Sequence, residues 1–224
     1  MQAAILMRNV TRGIEKIPGV NLVQTARFDD ISILMFPKVG TRSIRNALLT
    51  YHGLGPGRGR AWTHMHYHSR KAMRTRLNTP QTLVVLRDPL ERIHSCWKQK
   101  VGRERDDKSF YFFQYYPLLK PDMDFLAFLQ AIHRLPTFLY EKHFMPLNHY
   151  LSGMDDPSYS FARLDQLDTK LAEILNTTAP PQRANTTSPT AIPQDAKDYF
   201  FAHLQDRYRA DIDLFEKSGG GPGR

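Results

Sequence analysis

Ile31-Ser-Ile-Leu-Met-Phe36 is followed directly by Pro37-Lys-Val-Gly-Thr-Arg-Ser43. The first six residues are apolar apart from one serine, which predicts a strand buried on both faces of a parallel sheet. Proline ends this strand, and the polar residues after it form a short loop. Apolar side chains then recur at helical spacing, at Ile44, Ala47, Leu48 and Tyr51. The stretch therefore predicts a strand, a loop and a helix in that order.

A second unit of the same kind begins at residue 83. Leu83-Val-Val-Leu86 predicts another buried strand, and Arg87-Asp88-Pro89 leads into a helix that runs to about Val101. The aspartate is a suitable N-cap, and proline is tolerated at the first helical position because its missing N–H would have no partner there. The helix is expected to carry a polar face that contains Arg92, Ser95 and Gln99.

Three further helices are predicted along the rest of the chain. They cover about 122–134, about 168–175 with Asp168 as the cap, and about 194–216. One apolar stripe runs along the last helix: Phe201, Leu204, Tyr208, Ile212 and Phe215. Strands that alternate with helices predict an α/β fold in three layers, with a central parallel sheet flanked by helices. We expect a single domain over residues 1–217 and a flexible glycine-rich tail over 218–224.

The charge of the chain predicts an anionic partner. The 224 residues include 31 Lys+Arg and 22 Asp+Glu, a net charge of +9 with histidine neutral. A content of 41% hydrophobic and 24% charged residues is that of a globular protein and excludes a disordered or collagen-like chain. Nucleic acid, a membrane surface, a phosphorylated cofactor or an acidic substrate would each match this surplus.

Cysteine content and hydropathy bear on location. Cys96 is the one cysteine, so neither an intramolecular disulfide nor a multi-cysteine metal site is available. No signal-peptide core is present, and no apolar run approaches the ~18 residues of a spanning helix. These features predict a soluble chain with no membrane span and a cytoplasmic location, unless an N-terminal anchor has been removed.

The loop after the first strand has the composition of an anion cradle. A short loop that leads into a helix presents several backbone N–H groups and the positive end of the helix dipole. Lys38 adds a full charge, Gly40 permits close approach of the backbone, and Thr41 and Ser43 add hydroxyl donors. A plain turn with a solvated lysine has the same composition. The order differs from G-x-x-x-x-G-K-[ST], because here the lysine precedes the glycine.

The second unit offers a complementary phosphate site. Arg87 lies at the end of its strand, and Ser95 lies seven residues after Asp88, two turns along the same helix face. A guanidinium and a hydroxyl so placed can hold one phosphate between them.

Together the two motifs resemble those of the sulfotransferases. Phe36-Pro-Lys-Val-Gly-Thr-Arg-Ser43 is similar to their 5′-phosphosulfate loop, and Val85-Leu-Arg-Asp-Pro-Leu-Glu-Arg-Ile-His-Ser95 to their 3′-phosphate motif. Glu141-Lys-His-Phe-Met-Pro146 resembles Asn-x-His-Trp-x-Pro of the carbohydrate sulfotransferases. Tyr208-x-x-Asp211-x-x-x-Phe215 resembles their last helix. The resemblance is strongest to the Golgi carbohydrate enzymes and the uronyl 2-O-sulfotransferases, and it implies a P-loop-like form of the α/β fold. By the same resemblance the Golgi lumen is the alternative location if an anchor was removed.

The resemblance implies a cofactor and roles for individual residues. The cofactor is 3′-phosphoadenosine 5′-phosphosulfate (PAPS), and the product is adenosine 3′,5′-bisphosphate. Lys38 would stabilise charge on the leaving group. The cofactor would otherwise be bound by Val39, Gly40, Thr41, Arg42, Ser43, Arg87 and Ser95, with Arg183 and Thr186 from a closing loop. The implied acceptor is a hydroxyl of a saccharide or similar polar molecule, and one with acidic groups would match the basic residues between 58 and 76.

A histidine cluster lies between the two cofactor motifs. Trp62-Thr-His64-Met-His66-Tyr-His68 stands where the uronyl 2-O-sulfotransferases carry a His-x-His that includes their base. Histidine suits this task because its pKa lies near neutrality. We predict His66 as the base, with His64 next. Three alternate histidines could also ligate a metal, but the glutamate of H-E-x-x-H is missing, and we expect no metal site.

Two other functions remain as alternatives. A P-loop nucleotide kinase or hydrolase would use the same strand, loop and helix, but the position of Lys38 and the missing acidic magnesium ligand disfavour it. A basic nucleic-acid-binding module would account for the charge, but not for two phosphate loops. We therefore predict a sulfotransferase that acts by in-line displacement and has no nucleic-acid partner.

Overall fold

A computed structural model describes residues 22–28, 31–54, 65–69, 81–102, 118–151, 159–176 and 191–219 of the chain. Its strands are β1 Leu22–Phe28, β2 Ile31–Met35, β3 Met65–Ser69, β4 Gln81–Leu86 and β5 Tyr159–Arg163. Its α-helices are α1 Thr41–Tyr51, α2 Pro89–Lys100, α3 Phe125–Arg134, α4 Leu167–Ile174, α5 Gln194–His203 and α6 Gln205–Lys217. Short 3-10 turns lie at Thr137–Leu139, Leu147–His149 and Leu164–Gln166.

The five described strands form one sheet in the order β3-β1-β2-β4-β5. The strands β2, β4 and β5 run parallel to one another. Strand β1 is antiparallel to both β2 and β3, and Phe28 pairs with Ile31 across the short β1–β2 connection. Two residues can join only antiparallel neighbours, which is why β1 reverses direction. The predicted α/β fold is confirmed, and the parallel part of its sheet is extended by an antiparallel edge.

The central strands are buried because helices cover them. Residues 82–86 of β4 and 32–35 of β2 are buried, as a strand between two helical layers requires. Helix α1 buries Ile44, Ala47 and Leu48, and α2 buries Leu90, Ile93 and Cys96. Asp88 caps α2 as predicted, since its side chain accepts a hydrogen bond of 2.9 Å from the Glu91 N–H, and Pro89 opens the helix.

Two helix predictions need correction. The segment 194–216 is not one helix: α5 ends at His203 and α6 begins at Gln205, with Leu204 between them at φ −117°. Phe201 is 52% exposed, so it does not belong to a buried stripe, whereas Leu204 and Tyr208 are buried. Asp168 lies in the first turn of α4 rather than at its cap, because the preceding 3-10 turn carries the chain into the helix at Gln166.

Candidate active site

The two predicted phosphate motifs lie side by side. Strand β2 pairs with β4 in parallel, with Leu34 opposite Val84, so the loops that follow both strands emerge at the same edge of the sheet. The carboxyl ends of parallel strands are where α/β proteins bind ligands. A hydrogen bond joins the loops, because Nη1 of Arg87 donates to the Lys38 carbonyl over 3.4 Å. The sequence motifs are therefore one structural unit.

Gly40 lets the first loop enter α1. It is the N-cap of the helix, at φ 82° and ψ 26°, and its carbonyl accepts from the Ile44 N–H over 3.1 Å. No side chain caps the helix, so the N–H groups of its first turn, at Thr41 to Ser43, have no side-chain acceptor at the N-cap. A Cβ on residue 40 would lie 2.5 Å from Cδ2 of Leu167 and 2.9 Å from Cδ1 of Leu164. Glycine is thus required both by conformation and by space.

Lys38 occupies a costly position in the same loop. Its φ of 72° is in the left-handed region, which non-glycine residues rarely adopt. Its Nζ donates to Oε1 of Gln99 over 2.8 Å. Burial lowers the pKa of Lys38 to about 8, and the cations Lys100, Arg87 and Arg42 act in the same direction. An ammonium that is partly desolvated and surrounded by other cations is suited to bind an anionic ligand.

The second loop orients Arg87 and begins α2. Nε of Arg87 lies 3.4 Å from Oε2 of Glu91, one turn into the helix. Burial raises the pKa of Asp88, whose carboxylate remains the helix cap. Ser95 is half-buried on α2, one turn before Gln99, the residue whose side chain contacts Lys38 of the first loop. The pair predicted to hold a phosphate is therefore carried on the rigid end of a strand and on a helix.

Strand β3 places the predicted base near this edge of the sheet. His66 pairs with Thr25 of β1, and Thr25 in turn pairs with Leu34 of β2. Its backbone is therefore two strands from the end of β2, which is about 10 Å at the usual strand spacing. The side chain of His66 lies outside the part of the structure that is described. The same is true of all of His64, Arg183 and Thr186.

Comparison with known proteins decides the family. A model described as the sulfotransferase family matches residues 24–218, which includes both phosphate motifs and most of the chain. The chain belongs to the sulfotransferase family. It is accordingly a transferase that moves a sulfuryl group to a hydroxyl-bearing acceptor. Searches of curated proteins and of solved structures gave no match.

Membership confirms the predicted sulfotransferase, while the closer resemblance to the carbohydrate and uronyl 2-O enzymes stays a prediction. The described helices of this sulfotransferase include none with the length and apolar content to cross a membrane.

The remaining sequence motifs of the sulfotransferase meet in a buried cluster beneath α2. Arg92, predicted on a polar face, is instead 0% exposed. Its Nη2 donates to the Met145 carbonyl over 2.7 Å and lies 3.7 Å from Oδ2 of Asp211. Carbonyls accept from its two Nη atoms and the carboxylate lies beside them, which lowers the cost of burying the charge, whereas its Nε has no hydrogen-bond partner among the described residues. Sequence reasoning missed this, since the partners lie more than 50 residues away.

Asp211 and Tyr208 connect α6 to the same segment. The carboxylate of Asp211 accepts from the Leu147 N–H at 2.7 Å and the Asn148 N–H at 3.1 Å. The hydroxyl of Tyr208 donates to the Phe144 carbonyl. The C-terminal motif of this sulfotransferase therefore fixes the chain between residues 144 and 148, which Arg92 in turn holds against α2.

Glu141 and His143 form a second buried pair. One oxygen, Oε2 of Glu141, lies 2.6 Å from Nδ1 of His143 and 2.8 Å from its backbone N–H. Burial lowers the pKa of His143 to about 4, against the opposing effect of the carboxylate. A neutral imidazole with Nδ1–H donating to the glutamate closes the turn at residues 141–143. The role that this geometry supports is packing of the segment, and sequence reasoning had not paired the two residues.

Proposed function

We propose that this sulfotransferase uses PAPS as donor and transfers the sulfuryl group to a hydroxyl of a saccharide or similar polar acceptor. The observation that carries the proposal is the hydrogen bond from Arg87 to the Lys38 carbonyl. This hydrogen bond joins the two loops into one cradle, and each loop has the composition of a phosphate-binding site. A donor with a 5′-phosphosulfate and a separate 3′-phosphate needs two such sites side by side.

The described residues fit this donor. The first turn of α1 offers backbone N–H groups that no N-cap side chain accepts, and Gly40, with its positive φ, begins that turn directly after the loop from β2. Lys38 and Arg42 supply charge on that side. On the other side, Arg87 and Ser95 would bind the 3′-phosphate, with a fork and a hydroxyl. Val39 is buried beneath the loop and would act through its backbone.

The donor would supply an activated sulfuryl group and leave as adenosine 3′,5′-bisphosphate. Lys38 would hold its ammonium at the oxygen where charge grows during transfer, so its effect would be larger in the transition state than in the ground state. The N–H groups of residues 40–43 would hold the phosphosulfate in line with the acceptor. Arg183 and Thr186 would add contacts to the donor from the closing loop that the family resemblance implies.

His66 is the proposed base, with His64 as the second candidate. It would accept the proton of the acceptor hydroxyl as that oxygen bonds to sulfur. Support comes from the register of β3, which places the backbone of His66 two strands from the end of β2. The surplus of positive charge would favour an acceptor with acidic groups.

Calorimetry tests the donor. The protein is titrated separately with adenosine 3′,5′-bisphosphate, with ATP and magnesium, and with duplex DNA. We expect binding of the bisphosphate without magnesium and a clear preference for it over the other two. A preference for ATP with magnesium would instead support a P-loop kinase or hydrolase and refute the proposal.

Two variants test the residue roles with labelled PAPS and a panel of glycans and small alcohols. Lys38→Ala should lower turnover far more than it weakens the bisphosphate, because its contact strengthens in the transition state. His66→Ala should abolish transfer and leave bisphosphate binding intact, with His68→Ala as the control from the same strand. Normal turnover in His66→Ala would move the base to His64.

A further inference from the structure

Gln99 links the two halves of the cradle. It lies on α2, one turn beyond Ser95, and its Oε1 accepts the hydrogen bond of 2.8 Å from Nζ of Lys38. The contact joins side chains that are 61 residues apart in the sequence. Sequence reasoning placed Gln99 on a polar helix face and gave it no role.

We propose that Gln99 is a positioning residue for Lys38: its amide oxygen holds the ammonium on α2 and competes with the anionic donor for it. The inference rests on the proposed function, since it takes the 5′-phosphosulfate side of the donor as the ligand of Lys38. The inference adds one feature to that function: Gln99 is the partner of Lys38 before the donor binds, and the donor must displace Gln99 from the ammonium.

The surroundings of Lys38 explain why a neutral acceptor matters. Four ionisable groups lie around its ammonium: Cys96 and Lys100 of α2, Arg87 at the end of β4, and Arg42 of α1. Three are cations. The fourth is a thiol whose pKa is raised to about 12 by burial, so it is neutral at neutral pH. With no carboxylate among these groups, the Gln99 amide is the described acceptor of the ammonium.

The chemistry of the amide makes the contact reversible. A neutral carbonyl dipole attracts an ammonium more weakly than a phosphate or sulfate oxygen does. The hydrogen bond is also exposed to solvent, which weakens it further. An arriving anion can therefore take the ammonium from Gln99. A carboxylate at position 99 would hold Lys38 more tightly and would also repel the donor.

Two substitutions at this position should therefore have opposite effects. In Gln99→Met the side chain keeps its length and loses the acceptor, so the bisphosphate should bind about threefold more tightly. In Gln99→Glu the new carboxylate should weaken the bisphosphate by about tenfold. Matched controls are Asn46→Met and Asn46→Asp at an exposed amide of α1, which should leave the affinity as in the wild type.

A second measurement follows Lys38 without the donor. The rate of acylation of its amine is measured against pH by peptide mass spectrometry, and the midpoint gives the pKa of Lys38. The midpoint should fall by about half a unit in Gln99→Met and rise by about as much in Gln99→Glu, because the protonated form loses or gains a partner. Thermal unfolding of each variant shows that it is folded.

The outcomes separate this inference from the proposed function. If the wild type fails to bind the bisphosphate, the proposed donor is wrong, and the Lys38 midpoints still decide whether Gln99 holds the ammonium. If the midpoints of the two Gln99 variants coincide, or if both variants change the affinity in the same direction, Gln99 is not the competing partner and the inference is overturned.

Discussion

Replacement of Gly40 by alanine should destabilise the protein and distort the cradle. Alanine at φ 82° costs about 1 kcal/mol for its left-handed backbone. The added Cβ would approach Leu167 to 2.5 Å and Leu164 to 2.9 Å, and overpacking of this kind costs about 1–3 kcal/mol. Because Leu167 is buried, it has little room to move. We expect Gly40→Ala to lower the free energy of unfolding by about 3 kcal/mol, or Tm by roughly 6–12 °C at this chain length.

Gly53 provides a matched control. It also has a positive φ, 63°, but a Cβ there would meet nothing within 4 Å. Gly53→Ala should therefore cost only the backbone penalty, about 1 kcal/mol. Urea denaturation gives the loss in the free energy of unfolding for each variant. The difference between the two losses measures the cost of the close approach of α4 to the loop. Equal losses in the two variants would refute the claim that Gly40 is required by space. Calorimetry with the bisphosphate should show weaker binding for Gly40→Ala and unchanged binding for Gly53→Ala.

Three further predictions concern the buried pair of Arg92 and Asp211, the helix caps and the charge of Lys38. Asp211→Asn should lower the free energy of unfolding by about 3 kcal/mol, since it leaves the buried guanidinium of Arg92 without its charge partner. The double variant with Arg92→Met should lose less than the sum of the single losses in urea denaturation, and additive losses would show that the pair is uncoupled. Asp88→Ala and Asp124→Ala each remove a helix cap and should each cost about 1 kcal/mol, but only the first should weaken the bisphosphate in calorimetry. Lys38→Met should stabilise the fold at pH 7, by about 1 kcal/mol, since it removes a partly desolvated ammonium. That gain should shrink as the pH rises from about 8 toward 10.5, because wild-type Lys38 loses its charge there; a constant gain would exclude the ammonium as its source.

The central units of the fold are predictable because a strand that is buried on both faces has a recognisable sequence, a run of consecutive apolar residues. Strands β2 and β4 are continuous apolar runs, and each is followed by a helix with a clear cap or loop. Strands β1 and β5 mix polar and apolar residues, with neither a continuous apolar run nor strict alternation, and were not predicted. The break at Leu204 was also missed, since neither glycine nor proline marks it and the apolar period continues across it.

Local motifs of the site are predictable from sequence, whereas its long-range partners are not. The adjacent positions of Lys38, Gly40 and Arg87 could be predicted because a loop between a strand and a helix has a fixed relation to the edge of the sheet. The contact of Gln99 with Lys38 and that of Arg92 with Asp211 join distant segments. Only the folded chain shows that a glutamine rather than a carboxylate faces the ammonium, or that an arginine is buried.

Lys38 carries two energetic costs. Its backbone is in the left-handed region, and its ammonium is partly desolvated among cations, which lowers its pKa to about 8. Each cost could be removed by one substitution, glycine for the backbone or an apolar residue for the charge. Strain and unfavourable burial that meet in one residue are typical of a functional group held ready for a ligand. Part of the positive charge of the chain is therefore concentrated around Lys38, beside Lys100, Arg87 and Arg42, and an anion with more than one charged group would relieve the repulsion among them.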